Sequence, residues 1–279
     1  MLVNLNAVLK DAQKGGYAVG LFNTTDTDML EGVISAAEEL RSPVIIGTAE
    51  VLLPSGELKL IGPALIEAAK RASVPVVVHF DHGLTFDRCM EALKLGFTSI
   101  MFDGSTKGEE ENLKETAEIV KIAHSMGATV EGEIGHVGQA ATNDGAVTDS
   151  YTTPEEAKRF VDATGVDALA VAIGTAHGAY KTKPKLDINR LAEIRATIDT
   201  PIVLHGGSGL SDDDFRNTIK NGVAKMNIFT DLCKAGERAM QQGLAEGKSY
   251  LEIRDMKVAE IKKAAMEKMR LFGSENTAK

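Results

Sequence analysis

The stretch VVVHFDHG, residues 76–83, decides the fold of this chain. Its first part has the apolar pattern of a buried β-strand, and the pattern ends abruptly in Asp81, His82 and Gly83. An acid and an imidazole therefore stand side by side where a buried strand stops, and the rest of the sequence has to explain what they do there.

Seven further apolar runs share this character, and amphipathic segments separate them. The helical segment DTDMLEGVISAAEEL, for example, places its apolar residues on one stripe. Buried strands that alternate with helices predict a parallel sheet with its outer face covered, and eight such units favour an α/β fold of the (β/α)8 TIM-barrel type over an open sheet. The eight predicted strands are residues 17–22, 43–47, 75–80, 98–102, 128–134, 167–173, 201–205 and 224–229.

The organisation of the chain predicts a single domain over residues 1–279, because no linker or low-complexity segment divides it. Residues 253–272 have one apolar face and predict an extra C-terminal helix, packed on the barrel or on a neighbouring subunit, and residues 273–279 predict a mobile tail. Residues 135–152, after the fifth strand, show no helix pattern. They predict a long mobile loop that serves as a lid, although a disordered surface insertion fits the composition equally well.

Composition narrows the class of protein. The chain has 279 residues, 43% of them hydrophobic, and its 40 acidic and 31 basic residues give a net charge of -9. Without a Lys/Arg cluster, a nucleic-acid partner is not expected. Neither Cys89 nor Cys233 belongs to a CxxC pair, so we expect two reduced thiols. No signal peptide and no apolar run of about 20 residues is present, which predicts a cytoplasmic protein without a membrane partner.

Chemistry-bearing side chains stand at the predicted strand ends, the rim of such a barrel where active sites lie. Three of them, His82, His177 and His205, follow different strands, and three neutral imidazoles are a recurrent catalytic zinc set with one position left open. A lone histidine there would be read as structural. His79 shares the strand side of Asp81 and is read either as a partner behind the site or as a packed core residue. The other residues at these ends are Asn23, Asp103, Glu131, Glu133, Asn227, Thr230 and Asp231.

Two loops favour a phosphate site. HGGSG, residues 205–209, follows the seventh strand, and MNIFTDL, residues 226–232, ends the eighth strand and opens a helix. Paired loops at these two positions, with amides at helix N-termini, are the usual phosphate cradle of the barrel, although either loop alone would be read as a tight turn. Zinc as a Lewis acid, a carboxylate such as Asp81 and an adjacent phosphate site suit enolate chemistry, as in aldol cleavage or condensation.

In order and spacing, six motifs resemble the class II, zinc-dependent ketose-bisphosphate aldolases, a family that includes the fructose-1,6- and tagatose-1,6-bisphosphate enzymes. The resemblance covers essentially the whole chain. The motifs are VHFDHG (78–83), MFDGS (101–105), VEGEIG (130–135), AHGAY (176–180), LHGGSG (204–209) and KMNIFTDL (225–232).

The resemblance implies reversible retro-aldol cleavage of a phosphorylated ketose, such as a fructose-1,6-bisphosphate-like sugar, to dihydroxyacetone phosphate and an aldehyde. It implies one Zn²⁺ bound by His82, His177 and His205, and Asp81 as the group that exchanges a proton with the aldehyde-derived oxygen. It also implies a monovalent cation, Na⁺ or K⁺, near the phosphate loops, and a homodimer or homotetramer. Asp103 and Glu133 match carboxylates at an alternative metal position. The substrate-binding residues expected from the strand ends and the resemblance are Asn23, Gly178, Gly206, Gly207, Ser208, Asn227, Ile228, Phe229 and Thr230.

The chain departs from the family pattern on the acceptor side and in the lid. Relatives carry a catalytic glutamate in the lid, and none stands here before Glu155. Asp144 is hypothesised to replace it as the base, with Asp149 as the other candidate. Ala49 stands where relatives often have Ser or Thr, and Phe229 where they have a smaller residue. A segment that meets the distal phosphate is replaced by EGK, residues 246–248, so Lys248 or Arg254 is expected to stand in.

Two alternatives remain open from the sequence. A metal-dependent sugar-phosphate isomerase or epimerase could share the zinc, the acid and the phosphate cradle without breaking a carbon–carbon bond. A scaffold with a degenerate site is disfavoured by the intact set of Asp81, His82, His177 and His205.

Overall fold

Eight parallel strands close into a barrel in this computed structural model, which describes residues 1–135, 138–139, 151–178 and 184–279, with the backbone alone at 138, 139 and 177. The described strands, eight of which form the barrel, are β1 (Leu2–Val3), β2 (Val19–Asn23), β3 (Val44–Ala49), β4 (Val76–Gly83), β5 (Ser99–Phe102), β6 (Thr129–Ile134), β7 (Gly138–Gln139), β8 (Ala168–Val171), β9 (Ala176–His177), β10 (Ile202–Leu204) and β11 (Val223–Ile228).

The order around the barrel is β4-β3-β2-β11-β10-β8-β6-β5, and β5 pairs with β4 to close the ring. This confirms the predicted (β/α)8 TIM barrel. Short β1 pairs with the start of β4, and β7 pairs with β9 outside the barrel.

Helices follow the strands and cover the outer face. They are α1 (Leu5–Gly15), α2 (Thr27–Glu39), α3 (Leu58–Arg71), α4 (Phe86–Leu95), α5 (Glu109–Ser125), α6 (Pro154–Thr164), α7 (Ile188–Thr197), α8 (Asp212–Lys220), α9 (Thr230–Ala245) and α10 (Tyr250–Leu271), with a 3-10 helix at Glu50–Ser55. α6 begins with a capping box formed by Thr153 and Glu156, and Gly165 ends the helix with a φ of 72°. Among the described helices, none has the length and apolar character that a membrane span requires.

The barrel interior is apolar at one end and polar at the other. Leu21, Ile45, Val77 and Val203 pack inside it with one face of α1, which lies under the barrel. Inward-facing residues recur every second position along a strand. The same parity that turns Val77 inward therefore turns His79 inward as well, one layer closer to the rim.

The predicted C-terminal helix exists and lies on the barrel as α10, packed against α2 and α9 with Ile261, Ala265 and Met269 buried. The two cysteines are free thiols in α4 and α9, as expected.

The prediction of a mobile tail was wrong. Ser274 is fully buried and its hydroxyl lies 2.8 Å from that of Ser42. The Asn276 N–H donates to the Leu40 carbonyl at 2.8 Å, and the Ala278 N–H to the Arg41 carbonyl at 2.9 Å. The tail thus satisfies carbonyls at the C-terminal end of α2, which a small polar segment does not reveal in sequence.

Removing residues 274–279 should lower the free energy of unfolding by about 1 kcal/mol for each of these hydrogen bonds lost. Urea denaturation of the truncated chain would measure it. Lys279→Ala is the control, because Lys279 makes an exposed ion pair with Asp11, and it should leave the midpoint close to that of the parent. A truncated chain as stable as the parent would show that the tail contributes nothing.

Candidate active site

A bulge in β4 places Asp81 and His82 together. In a regular strand, adjacent side chains face opposite sides of the sheet. Here Phe80 pairs with Ile100 and Gly83 with Phe102, so β4 has one more residue than β5 over this interval. His82 takes up the extra residue with a φ of 43°, a value that side chains other than glycine rarely adopt. The predicted strand stopped at residue 80, because sequence periodicity cannot show such an insertion.

Both side chains open into a cavity of about 400 Å³ at the C-terminal rim of the barrel. This volume is in the range of small-molecule sites. The described residues that line it are Asn23, Ala49, Val51, Leu52, Asp81, His82, Leu84, Asp103, Ser105, Thr106, Glu133, Gly178, Gly206, Gly207, Ser208, Asn227, Ile228, Phe229 and Thr230.

Two of the predicted zinc ligands meet at this rim. His82 Nε2 lies 2.8 Å from His205 Nδ1. Each ring is held from behind by a carboxylate, His82 Nδ1 by Asp103 Oδ2 at 2.8 Å and His205 Nε2 by Glu131 Oε1 at 2.8 Å. A carboxylate behind an imidazole fixes its tautomer and is the usual support of a metal-binding histidine. The two nitrogens that face one another are thus the pair suited to a shared metal ion.

The electrostatics of the two imidazoles are complementary. Burial lowers the pKa of His82, but the charge of Asp81 and the hydrogen bond to Asp103 outweigh it and raise the pKa to about 10. Burial and the positive charge of His82 lower the pKa of His205. The charged form is therefore favoured for His82 and the neutral form for His205, which suits the 2.8 Å hydrogen bond between the two rings.

The third predicted ligand, His177, has its backbone in β9, and its side chain lies outside the described residues. The lid candidates Asp144 and Asp149 also lie outside them.

Asp103 and Glu133 join His82 in a second group whose ligand atoms lie within 4.8 Å of one another. Burial and the neighbouring Asp103 charge raise the pKa of Glu133 well above its usual range, and Glu133 Oε2 has no hydrogen-bond partner among the described residues. A buried carboxyl oxygen left without a partner beside a histidine and an aspartate is the arrangement that a divalent cation would satisfy. The donor set therefore fits a metal.

Asp81 is buried and receives three contacts from amide donors. Asn23 Nδ2 donates to Asp81 Oδ2 at 2.7 Å, and Asn227 Nδ2 lies 3.1 and 3.2 Å from the two oxygens. Burial alone would raise the pKa of Asp81, but the charges of His82 and Lys225 outweigh it and hold the pKa well below its usual range. Asp81 is an ionised carboxylate beside the candidate metal nitrogens, ready to accept a proton.

Lys225, which the sequence analysis did not single out, lies fully buried beneath the site. Its Nζ is 2.8 Å from Glu131 Oε2 and donates to Asn227 Oδ1 at 2.8 Å. Because an ammonium only donates, Asn227 must turn its carbonyl toward Lys225 and its NH₂ group toward Asp81. One feature of the sequence could have indicated it: Lys225 stands two residues before Asn227 in the same strand, so both side chains face the barrel interior.

The Lys225 charge also argues against a metal ion at the group formed by His79, Asp81 and Glu131. Their ligand atoms lie close enough together to hold an ion. The Lys225 ammonium already neutralises Glu131, and burial, with the Lys225 charge, lowers the pKa of His79 to about 3. His79 is thus a neutral residue behind the site, and its Nδ1 forms a hydrogen bond with Ser99 Oγ at 2.7 Å. A second cation beside Lys225 would be repelled.

The two predicted phosphate loops adjoin one another. The Phe229 N–H donates to Ser208 Oγ at 3.4 Å, and Gly206 adopts a φ of 67°. A Cβ at Gly206 would lie 2.4 Å from the Ala176 carbonyl oxygen, so only glycine fits there. No side chain caps the start of α9 at Phe229, and Asp231 in its first turn is paired with Lys268 at 2.8 Å. The first amides of α9 are thus available for an anion.

Lys248 and Arg254, the residues expected to meet a distal phosphate, do not line the cavity. Arg254 is bound to Asp28 and Glu31 in α2, and Lys248 lies 4.0 Å from Glu252. Both side chains thus pair with acidic residues on helices of this chain.

Comparison with known proteins agrees with this geometry. The sequence profile described as "Fructose-bisphosphate aldolase class-II" matches residues 3–277. The chain belongs to the class II aldolase family. It is therefore a lyase, of a family that generally depends on a metal ion and acts on phosphorylated sugars.

Several class II aldolases resemble the chain over nearly its whole length. The crystal structure of the YdjI aldolase from Escherichia coli K12 superposes with a TM-score of 0.91 at 36% identity and covers 100% of both chains. The fructose-bisphosphate aldolase of Staphylococcus epidermidis is 36% identical, covering 100% of this chain and 99% of its own. The sulfofructosephosphate aldolase of Alkalicoccus urumqiensis is 38% identical, covering 98% and 96%.

Replacing Lys225 should destabilise this class II aldolase strongly. Lys225→Met leaves the buried Glu131 carboxylate without its counter-charge, which costs about 3–5 kcal/mol. The double variant Lys225→Met, Glu131→Gln removes both charges and should recover most of that loss. Urea denaturation would measure both.

Lys262→Met is the matched control, since it breaks an exposed pair with Glu39 and should change the unfolding midpoint little. If Lys225→Met were as mild as this control, the buried ion pair would not hold the barrel interior together.

Proposed function

We propose that this class II aldolase is zinc-dependent and cleaves a phosphorylated ketose reversibly to dihydroxyacetone phosphate and an aldehyde. The observation that carries the proposal is the placement of His82, His205, Asp81 and the paired phosphate loops around one cavity. Fructose 1,6-bisphosphate and related ketose phosphates are the proposed substrate class, in line with the names of the Staphylococcus and Alkalicoccus relatives.

His82 Nε2, His205 Nδ1 and His177 would hold the zinc, with Asp103 and Glu133 at an alternative metal position. Imidazole nitrogens favour zinc over magnesium or calcium, which prefer oxygen ligands. The ion would supply Lewis-acid polarisation of the ketone oxygen.

Asp81 moves the proton of the acceptor oxygen. In cleavage it takes the proton from the hydroxyl group beside the breaking bond, and the O–H electrons form the aldehyde C=O. The electron pair of the broken carbon–carbon bond passes to the donor fragment, which becomes dihydroxyacetone phosphate when it takes up a proton. In condensation, Asp81 returns its proton to the new hydroxyl. The amide donors Asn23 and Asn227 keep Asp81 ionised and aimed for this transfer.

The donor phosphate would lie on the amides of Gly206, Gly207 and Ser208 and of the segment 227–230, with Gly178 beside them. Asn23 Oδ1 is buried and has no hydrogen-bond partner among the described residues, which suits a contact to a substrate hydroxyl. The monovalent cation near these loops and the homodimer or homotetramer stay predictions from the family resemblance.

Removing the metal tests the proposal. Treatment with a chelator should abolish release of triose phosphate from a ketose bisphosphate, and added Zn²⁺ should restore it. Turnover that survives complete metal removal would contradict zinc dependence. A sugar phosphate that is converted without release of a triose phosphate would instead favour the isomerase or epimerase reading.

Asp81→Asn should lower kcat by about 10²–10⁴-fold, because the amide cannot accept the proton. Bound zinc, measured by metal analysis, should stay at the parental level. Asp162→Asn, an isosteric change on the exposed face of α6, is the control and should retain full activity. A kcat unchanged in Asp81→Asn would remove Asp81 from the mechanism.

Asp144 is proposed as the lid base that moves the donor proton. Asp144→Ala should slow exchange of the donor-carbon proton of dihydroxyacetone phosphate with solvent, and Asp149→Ala should not. Proton exchange can be followed by NMR in D₂O without any aldehyde. Unchanged exchange in Asp144→Ala, or loss in Asp149→Ala instead, would refute the assignment.

A further inference from the structure

The short connection between β4 and α4 is held by a side chain from another part of the barrel. Two residues, Leu84 and Thr85, separate the end of the strand from the start of the helix. The Glu50 carboxylate accepts from the Leu84 N–H at 2.8 Å and from the Thr85 N–H and hydroxyl at 3.2 and 3.1 Å. Both oxygens of one carboxylate are therefore engaged by this connection.

Glu50 ties β3 to β4 at the point where the backbone pairing of the two strands ends. The last paired residues are Ala49 and Asp81. Glu50 follows Ala49 directly, and its side chain reaches the residues just beyond Gly83. On the other side of β4, Gly83 is paired with β5. The backbone of His82 is thus fixed before it by β3 and after it by both β5 and Glu50.

The conformation of His82 needs such support. Its φ of 43° costs free energy in any residue other than glycine, and a strained conformation of this kind persists only where the surroundings over-determine it. If the chain after Gly83 could move, a relaxed φ would rotate the imidazole away from His205, whose Nδ1 lies 2.8 Å from His82 Nε2. The connection that Glu50 holds therefore bears on the distance between the two rings.

The charge of Glu50 suits this role. Two of its three donors are backbone N–H groups at the start of α4, where the helix dipole favours an anion. A hydrogen bond from an N–H to a carboxylate is also about twice as strong as one between neutral groups. Glu50 is not among the described residues that line the cavity, so any effect it has on the site must pass through the chain that it holds.

We propose that Glu50 is a positioning residue for His82, and that it acts through the backbone of residues 83–85. Its carboxylate holds this backbone so that His82 keeps the φ that turns Nε2 toward His205. The inference rests on the proposed zinc-dependent function, in which these two nitrogens would hold the ion. Glu50 itself contacts neither the ion nor the substrate.

Zinc affinity, measured by competition with a chromophoric chelator, tests the proposal. Removing a group that orients a metal-binding histidine lowers metal affinity by about 10–100-fold. Glu50 acts one step further from the ion, so Glu50→Ala should lower the affinity for Zn²⁺ by about tenfold, the lower end of that range.

Glu50→Gln separates positioning from simple attraction between a carboxylate and the ion. Its amide oxygen can still accept from the two N–H groups, while its NH₂ group donates to the Thr85 hydroxyl. Because neutral hydrogen bonds are about half as strong, the zinc affinity should recover to within about threefold of the parent. A glutamine variant no better than Glu50→Ala would show that the charge acts on the ion directly and would overturn the proposal.

Glu38→Ala is the matched control. Glu38 accepts from the N–H and hydroxyl of Ser73 at 2.8 and 3.0 Å, which is the same type of contact before the other end of β4, away from the cavity. This variant should keep the parental zinc affinity. Urea denaturation of the metal-free chains shows whether each variant is folded. If Glu50→Ala is not, Glu50→Asp takes its place, since its carboxylate is one CH₂ group too short for the same contacts and should lower the affinity as well.

Activity should follow zinc occupancy. Release of triose phosphate by Glu50→Ala should be low at limiting Zn²⁺ and should return close to the parental kcat at saturating Zn²⁺, because the residues that line the cavity are unchanged. A kcat that stays low with zinc fully bound would contradict a role that acts through His82 and the ion.

The outcomes also separate this inference from the proposed function. Parental zinc affinity in Glu50→Ala, or an equal loss in Glu38→Ala, would overturn the inference and leave the zinc-dependent aldolase standing. A parent chain that bound no zinc would overturn the proposed function, and the inference with it.

Discussion

The ammonium of Lys225, fully buried inside the barrel, is the charge on which the site depends. It neutralises Glu131, whose other oxygen holds His205, and it turns the Asn227 amide so that its NH₂ group faces Asp81. One positive charge therefore orients both a candidate metal ligand and the proposed proton-transfer group. A buried network of this kind is stable only when every member is satisfied, which fixes the geometry of the rim before substrate binds.

Above this buried network, strand β4 is locally distorted by a bulge. The bulge in β4 brings Asp81 and His82 to the same cavity, although they are neighbours in sequence, and His82 adopts a positive φ to do so. The cost of that conformation is offset by the surrounding contacts, including the 2.8 Å bond to Asp103. The result is a buried carboxylate directly beside an imidazole that is a candidate metal ligand.

The two sides of the cavity are lined by different kinds of groups. One side offers backbone amides at helix and loop N-termini, which suit a phosphate, and the other carries Val51, Leu52 and Leu84 together with Asp103 and Glu133. Aldolases named for different substrates are 36% and 38% identical to this chain.

The sequence by itself determined the eight-stranded barrel and the placement of His82, His205, Asp81 and the candidate phosphate loops at one rim, because apolar periodicity and strand ends are local properties of the chain. The family was indicated by the resemblance of its motifs. It missed Lys225, the bulge at His82 and the packed tail at Ser274. These depend on which strand or helix lies next to which, and on the register between them. Only the tertiary structure brings Lys225 to Glu131 and Glu50 to Leu84, since such neighbours are distant in sequence and leave no periodic signal.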